Sequence, residues 1–208
     1  MTKINTLELK FYPNIECYLA QMGEKDRKKT KIEYISENEA RISTGKDSYQ
    51  VVRNFYEYYV DGNSLIEELS KYYSSQKKSS SNSFLSGAIG WIGTFDEVYD
   101  WIQMKDFLLE NITKDELLKY FPAKEERIEN IIAYREDYEK DQYHTLYGCP
   151  CGDEECGGLG VIITKENGIY SWTFGERENE LQFRFEENQY RIAFQKALKE
   201  IRLKSKNK

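Results

Sequence analysis

Apolar and polar positions alternate along the first part of the chain in the pattern of β-strands. Residues 7–11 place apolar side chains at every second position, the period of a half-buried strand. The mixed charges of residues 23–31 predict a solvated loop, and residues 32–35 begin another strand. The aromatic and β-branched stretch 49–60 favours a further strand, which Asp61-Gly62 ends with a turn.

Helix signals dominate the middle of the chain. Ser64, Thr94 and Thr113 are each followed three residues later by Glu, the capping-box pattern that opens a helix. Apolar residues recur at helical spacing after each box, and this periodicity continues to about residue 138. The pattern therefore predicts a helical middle section.

The last third of the chain returns to strands and then ends in a helix. Apolar stretches at 159–164 and 169–174 flank Asn167-Gly168, a pair that favours a hairpin turn. Residues 181–185 alternate as a further strand, and residues 190–201 form an amphipathic helix. The predicted fold class is α+β, with an antiparallel sheet, a helical middle section and a C-terminal helix.

The length of 208 residues suits one α+β domain spanning 1–208. Hydrophobic residues are 39% of the total, and 17 Tyr, 10 Phe and 3 Trp supply the bulk for a sizeable core. The Ser- and Lys-rich segment 74–83 cannot bury enough apolar area to order itself, so a flexible loop is expected there. It is the single linker-like break.

Charge and hydropathy narrow the classes of partner. The net charge of −6 opposes binding to a phosphate backbone, so nucleic acid is not expected as a partner. No run of apolar residues approaches the ~20 that a membrane helix needs, and no membrane partner is expected. The N-terminal residues lack the apolar stretch of a signal peptide. The sequence therefore predicts a cytoplasmic protein.

Cysteine chemistry is concentrated at one place, directly before a predicted strand. Cys149, Cys151 and Cys156 lie within eight residues, and His144 is the chain's single histidine. Zinc takes four tetrahedral ligands, usually thiolate or imidazole, so these four residues form a candidate metal site. The Cys-x-Cys spacing is tighter than the usual Cys-x₂-Cys. If residues 143–148 are extended, the chain must also curl to return His144 to the metal.

The cysteine segment has two other interpretations. One is a thiol or disulfide function, and the other is a set of reduced cysteines in a tight Gly-rich turn, which the sequence favours most. Asp153, Glu154 and Glu155 raise the pKa of nearby thiols and so discourage a reactive thiolate. Zinc is the one cofactor that the sequence suggests. Cys17 stands apart and is expected to be a small buried hydrophobe.

Several short motifs combine aromatic, glycine and cysteine positions before or within predicted elements. They are Val60-Asp61-Gly62-x-x-Leu65, Gly90-Trp91-x-Gly93-x-Phe95, Cys151-Gly152-Asp153-x-x-Cys156-Gly157, Trp172-x-Phe174 and Phe183-x-Phe185. On these motifs the chain resembles a family of uncharacterised bacterial proteins, over roughly residues 50–200. The segment from Cys151 to Gly157 is the most specific part. The resemblance implies a small cytoplasmic bacterial protein with an α+β fold, and it implies no activity.

Two classes of function remain open. The first is a non-enzymatic protein of the immunity or accessory kind, which binds another protein through an acidic, Tyr-rich surface. Most of these aromatic residues are nevertheless expected in the core. The second is a zinc-dependent hydrolase or a Cys/His thiol enzyme built on the 144–156 segment. A hydrolase would use Glu154 or Glu155 as its base. Because the required set of residues is incomplete, the interaction protein is preferred.

Overall fold

The computed structural model describes residues 3–13, 15, 19, 23–35, 39–43, 50–75, 90, 97–138, 143–148, 158–175 and 180–206. The strands are β1 (Leu7–Tyr12), β2 (Lys31–Tyr34), β3 (Glu39–Ser43), β4 (Gln50–Arg53), β5 (Phe55–Val60), β6 (Asn63–Ser64), β7 (Tyr143–Gly148), β8 (Gly158–Glu166), β9 (Ile169–Phe174) and β10 (Leu181–Glu186). The helices are α1 (Glu24–Arg27), α2 (Leu65–Ser75), α3 (Glu97–Phe107), α4 (Lys114–Tyr120), α5 (Glu125–Tyr138) and α6 (Glu187–Lys206), and a 3₁₀ turn spans Pro122–Lys124.

The strands form three antiparallel sheets, so the α+β class is confirmed, with several sheets instead of one. The orders are β1-β5-β6, β10-β9-β8-β7 and β2-β3-β4. Asn5 joins the first two sheets, because its backbone N–H donates to the Arg184 carbonyl over 2.6 Å. Its side-chain oxygen accepts the Arg184 N–H over 3.0 Å. The β2-β3-β4 sheet has no such bridge among the described residues.

Asn54 is where the chain passes from one sheet to another. It separates β4 from β5, which the sequence pattern predicts as one continuous strand. The Asn54 side chain is buried, and its Oδ1 accepts the backbone N–H of Ile15 over 3.5 Å. A buried side-chain amide needs such partners. β4 and β5, on either side of Asn54, belong to different sheets.

Apolar side chains are buried in two separate clusters. The large cluster joins the β1-β5-β6 and β10-β9-β8-β7 sheets with α2 to α6, and Trp172, Tyr190, Phe107 and Phe194 are among its largest fully buried side chains. The small cluster serves the β2-β3-β4 sheet and consists of Ile15, Ala40, Ile42 and Val52, with Leu19 packed against it. The three-stranded β2-β3-β4 sheet thus rests on a few residues of its own.

Most predicted element boundaries agree with the structure. Thr113 caps α4 by accepting the Glu116 N–H over 3.2 Å, and the Asn167-Gly168 turn has φ of 50° and 77°. The predicted loop 23–31 instead contains the short exposed helix α1 and the start of β2. The Thr94 box and the cysteine segment lie outside the described residues.

The predicted loop 74–83 begins two residues too early. Ser74 and Ser75 still belong to α2, because their hydroxyls donate to the carbonyls of Ser70 and Tyr72, each over 2.6 Å. These bonds let serine stay in the last helical turn. Residues 76–83 lie outside the described part of the chain, and so their predicted flexibility remains a prediction.

The Asp61-Gly62 turn fastens the N-terminal segment to the end of β5. The Asp61 carboxylate accepts the Thr6 N–H over 2.8 Å and the Asn5 side-chain amide over 2.9 Å, and it pairs with Lys3. Burial raises the pKa of Asp61, but these partners outweigh it and hold the pKa at about 2.

Among the described helices, none has the length and apolarity needed to cross a bilayer.

Candidate functional site

The predicted metal ligands are only partly covered by the structure. His144 lies in β7, half-buried, opposite Val161 of β8, and its ring centroid is 6.3 Å from that of Phe107. Cys149, Cys151, Cys156 and Cys17 lie outside the described residues. β7 continues from His144 to Gly148 with a bulge between Thr145 and Tyr147, so at most about 13 Å of strand separates His144 from the start of the cysteine segment. A zinc ligand at His144 would require the cysteine segment to fold back along β7.

Within the described ranges, no three His, Cys, Asp or Glu residues gather closely enough to hold a metal ion. The zinc site at His144, Cys149, Cys151 and Cys156 therefore stays a prediction. The same holds for the thiol interpretation and for the carboxylates Glu154 and Glu155, which share that segment.

A buried carboxyl group, which the sequence analysis did not single out, lies between two of the sheets. Glu57 is 5% exposed in β5, and it accepts the Tyr147 hydroxyl of β7 over 2.7 Å. Hydrogen bonds from the Ile66 backbone and the Ser64 side chain reach the same carboxyl at the N-terminus of α2. The Glu57 carboxyl thus links β5, β7 and the first turn of α2.

Burial dominates the ionisation of this group. It raises the pKa of Glu57 from 4.5 to about 7, although the hydrogen bonds from Tyr147, Ile66 and Ser64 oppose the rise. Burial, together with the nearby Glu57 charge, raises the pKa of the Tyr147 hydroxyl well above its ordinary value. A carboxyl that changes charge near neutral pH is typical of functional sites, but it needs access to a ligand to act in one.

A second buried polar network closes the C-terminal end of α3. The Tyr190 hydroxyl accepts the Trp172 indole N–H over 2.8 Å and donates to the Phe107 carbonyl over 3.0 Å. The Tyr170 hydroxyl donates to the Leu108 carbonyl over 2.7 Å. Carbonyls at the end of a helix lack partners within the helix, so these tyrosines satisfy them inside the core. The buried hydroxyl groups of Tyr170 and Tyr190 therefore have a structural role.

Charged side chains outside the core also tie helices together. Glu110 lies 2.5 Å from both Lys105 of α3 and Arg191 of α6, and Lys105 lies 3.4 Å from Glu116 of α4. Burial raises the pKa of Glu110, but its two cationic partners lower it by a larger amount, so the pKa lies below its ordinary value. All four side chains are about a third exposed or less, and their charges are matched by one another. This network stabilises helix packing.

Tyrosines with a described environment lie mainly inside the protein, as expected for core aromatics. Among the tyrosines whose side chains the structure describes, the two that belong to the exposed large hydrophobic residues are Tyr34 at 65% and Tyr120 at 54%. The Tyr120 ring contacts Trp101 in a tilted arrangement, with ring centroids 5.4 Å apart. A broad Tyr-rich surface is thus not found in the described part of the chain. Tyr34 is the more exposed of the two tyrosines.

Strand β2 exposes apolar side chains at close spacing. Ile32 is 37% exposed, Tyr34 65% and the following Ile35 49%, and all four residues of β2 are exposed. The other large hydrophobic residues that the described chain exposes are spread over separate elements, namely Ile4, Leu109, Tyr120 and Ile192. Clustered exposed apolar residues mark interaction surfaces more often than scattered ones do.

The backbone of β2 also has an open edge. β2 pairs with β3 on one side, and no described strand pairs with it on the other. The Ile35 N–H donates to the Glu39 carbonyl over 2.9 Å, so the backbone groups of Lys31 and Glu33 also point to β3. Those of Ile32 and Tyr34 point away from it. Within the described part of the chain, the main-chain groups on this edge of β2, defined by Ile32 and Tyr34, pair with no strand, and they could pair with a further one.

Sequence reasoning missed Glu57 and the β2 edge for different reasons. Glu57 carried a usable signal, since it is the single charge in the aromatic strand Phe-Tyr-Glu-Tyr-Tyr. A charge in such a strand is expected to need a buried partner. The β2 edge carried no comparable signal, because strand order decides which strand lies at an edge.

No protein-family model matches the chain, and comparisons with curated proteins and with solved structures found no match either. The resemblance to a family of uncharacterised bacterial proteins therefore stays a prediction.

Proposed function

We propose that this chain is a non-enzymatic protein-interaction protein, which recognises another polypeptide by adding one of its strands to the open edge of β2. The observation that carries the proposal is the exposure of Ile32, Tyr34 and Ile35 on and beside a strand edge with which no described strand pairs. In strand addition, main-chain hydrogen bonds provide affinity and alternate side chains provide specificity. An immunity or accessory role is the class of function that such binding serves.

β2 has an apolar face and a charged face, which supports binding to a strand with the same two faces. Ile32 and Tyr34 project to the side of Ala40 and Ile42, their partners across the β2-β3 pair. Lys31 and Glu33 project to the opposite side, because side chains alternate along a strand. A partner strand would therefore need apolar residues on one face and charged residues on the other.

The buried titratable groups support a structural role better than a catalytic one. Glu57, at 5% exposure, and the fully buried Tyr147 and Tyr190 are hydrogen-bonded to other parts of the fold. A general acid or base must come within hydrogen-bond reach of its substrate. These groups could reach a substrate only after large local opening.

The proposal is tested by comparing two double variants as bait in a lysate of the source organism. Ile32→Lys with Tyr34→Lys places charges on the β2 edge, a substitution that edge strands tolerate and that opposes strand pairing. Ile192→Lys with Tyr120→Lys makes the same changes at exposed positions of α6 and α4. Captured proteins are identified by mass spectrometry.

We expect at least one protein to be captured by the wild type and by the α6/α4 control, and to be lost with the β2 variant. Thermal unfolding of all three proteins checks that each bait is folded. A protein captured equally by the β2 variant would contradict binding at the β2 edge. Capture of no protein by the wild type, the lysate's own copies of this chain included, would contradict the proposal as a whole.

A further inference from the structure

The β2 edge has a sequence that complements itself, and we propose that β2 of a second copy of this chain occupies it. The two strands would run antiparallel and join two β2-β3-β4 sheets into one continuous sheet. This inference rests on the proposed function, because it names the polypeptide that binds the same edge.

The faces of the sheet restrict the registers that this pairing can use. Directly opposite residues of an antiparallel pair project to the same side. Ile32 and Tyr34 share the face of the small core, whereas Lys31 and Glu33 share the other. The two copies are related by a two-fold axis. Their apolar faces lie on the same side of the joined sheet only when one residue of β2 lies directly opposite the same residue of the second copy. Ile32 and Glu33 are the central candidates in β2.

Charge decides between these two registers. Centred on Ile32, the pair places Ile32 opposite Ile32 of the second copy, and Lys31 opposite Glu33 twice. Centred on Glu33, it places two carboxylates directly opposite each other. Opposite charges and β-branched side chains stabilise cross-strand pairs, while like charges destabilise them. The register centred on Ile32 therefore matches the charged positions and pairs Ile32 with itself, while Tyr34 lies opposite Thr30. The register centred on Glu33 would pair Ile32 with Tyr34, but only with the two carboxylates opposed.

The backbone is compatible with the register centred on Ile32, and the neighbouring strand favours it. Ile32 points its N–H and carbonyl outward, so two Ile32 residues exchange two hydrogen bonds. Lys31 and Glu33 then meet in the closer, non-hydrogen-bonded position of the ladder. Arg41 of β3 already lies 3.4 Å from Glu33, and both side chains are largely exposed. Arg41, Glu33 and the second copy's Lys31 would form a row of alternating charge.

The test is a charge exchange across the proposed pair. Lys31→Glu and Glu33→Lys each place like charges opposite one another in a homodimer, whereas a mixture of the two variants restores opposite charges. Sedimentation velocity is measured for the wild type, each variant and their equimolar mixture, from about 5 to about 500 µM protein. Lys25→Glu, at an exposed position of α1, makes the same charge change away from β2.

We expect concentration-dependent dimerisation of the wild type and of Lys25→Glu. Each β2 variant alone should dimerise about tenfold more weakly, which corresponds to a change of about 1.4 kcal/mol, and the mixture should return to within about twofold of the wild type. Circular dichroism checks that each variant is folded. We expect all of them to fold, because Lys31 and Glu33 are exposed.

A wild type that stays monomeric over this range, or a mixture that is no stronger than the single variants, would overturn self-pairing. In that case, capture of a partner that still depends on Ile32 and Tyr34 would leave the proposed function in place. The two proposals therefore fail through different measurements.

Discussion

Glu57 lies among aromatic neighbours in β5 and connects this strand to β7 and α2 through its carboxyl. Its pKa of about 7 means that folding favours the protonated form, since the unfolded chain titrates near 4.5. Stability contributed by this proton is present below pH 4.5 and is lost as the pH rises through 7. Asp61, with a pKa of about 2, acts in the opposite sense, and its contribution is lost as the pH falls from 4 to 2.

Glu57→Gln should therefore make the protein more stable at pH 8 than the wild type, by on the order of 3 kcal/mol, and leave stability at pH 4 nearly unchanged. Glutamine keeps an oxygen for the Tyr147 hydroxyl and carries no charge to desolvate. Urea unfolding of both proteins between pH 4 and pH 9 measures the difference. An equal difference in unfolding free energy at both ends of this range would show that Glu57 does not titrate on folding.

Strand β5 also depends on the close approach of Gly90. A Cβ at Gly90 would clash with the Tyr56 carbonyl oxygen, which is backbone and cannot rotate away. Gly148 of β7, in contrast, has open space around its Cβ position. The glycine in the Gly90-Trp91 motif is thus required by contact with β5, whatever its role in the family resemblance.

Gly90→Ala should lower the unfolding free energy by about 2 to 3 kcal/mol, because the added methyl group must displace β5. Gly148→Ala, the matched control, should change it by less than about 0.5 kcal/mol. Chemical denaturation of both variants tests this. A Gly90→Ala protein as stable as the control would mean that the backbone at Gly90 does not pack on β5.

The cysteine segment connects β7 to β8, and the sequence leaves its chemistry open between a zinc site, a thiol or disulfide function and reduced structural cysteines. Without a metal, Cys151→Ser should cost about 1 kcal/mol or less. With a structural zinc it should release the metal and cost far more, because metal binding contributes directly to folding. Metal content by mass spectrometry, on protein purified without chelator or His tag, distinguishes the two. We expect the smaller effect, and stoichiometric zinc lost on substitution would refute that expectation.

Local patterns predicted most elements because periodicity, capping and turn chemistry act within a few residues. The Thr113 cap and the Asn167-Gly168 turn are examples. The break between β4 and β5 at Asn54 was missed, and the Ile15 N–H that contacts the buried Asn54 side chain lies 39 residues away. The Glu57 contact with Tyr147 spans 90 residues and is equally invisible to a local pattern. Interactions distant in sequence thus account for what the sequence could not predict.

Across the whole molecule, the two clusters of buried residues stabilise different sheets. The large cluster contains the buried aromatic network and accounts for the packing of α2 to α6 on two sheets. The small cluster holds the β2-β3-β4 sheet, whose outer strand leaves Ile32 and Tyr34 exposed. A stable body that carries a small sheet with an open edge suits recognition by strand addition.

Amide hydrogen exchange at the β2 edge tests this account most directly. The N–H groups of Ile32 and Tyr34 point away from β3 and should exchange fast in dilute protein, whereas the Glu33 N–H, bonded to β3, should be slower. At about 500 µM protein we expect the Ile32 amide to become at least about tenfold slower, with little change at Glu33. Exchange at Ile32 that is independent of protein concentration would contradict pairing at this edge.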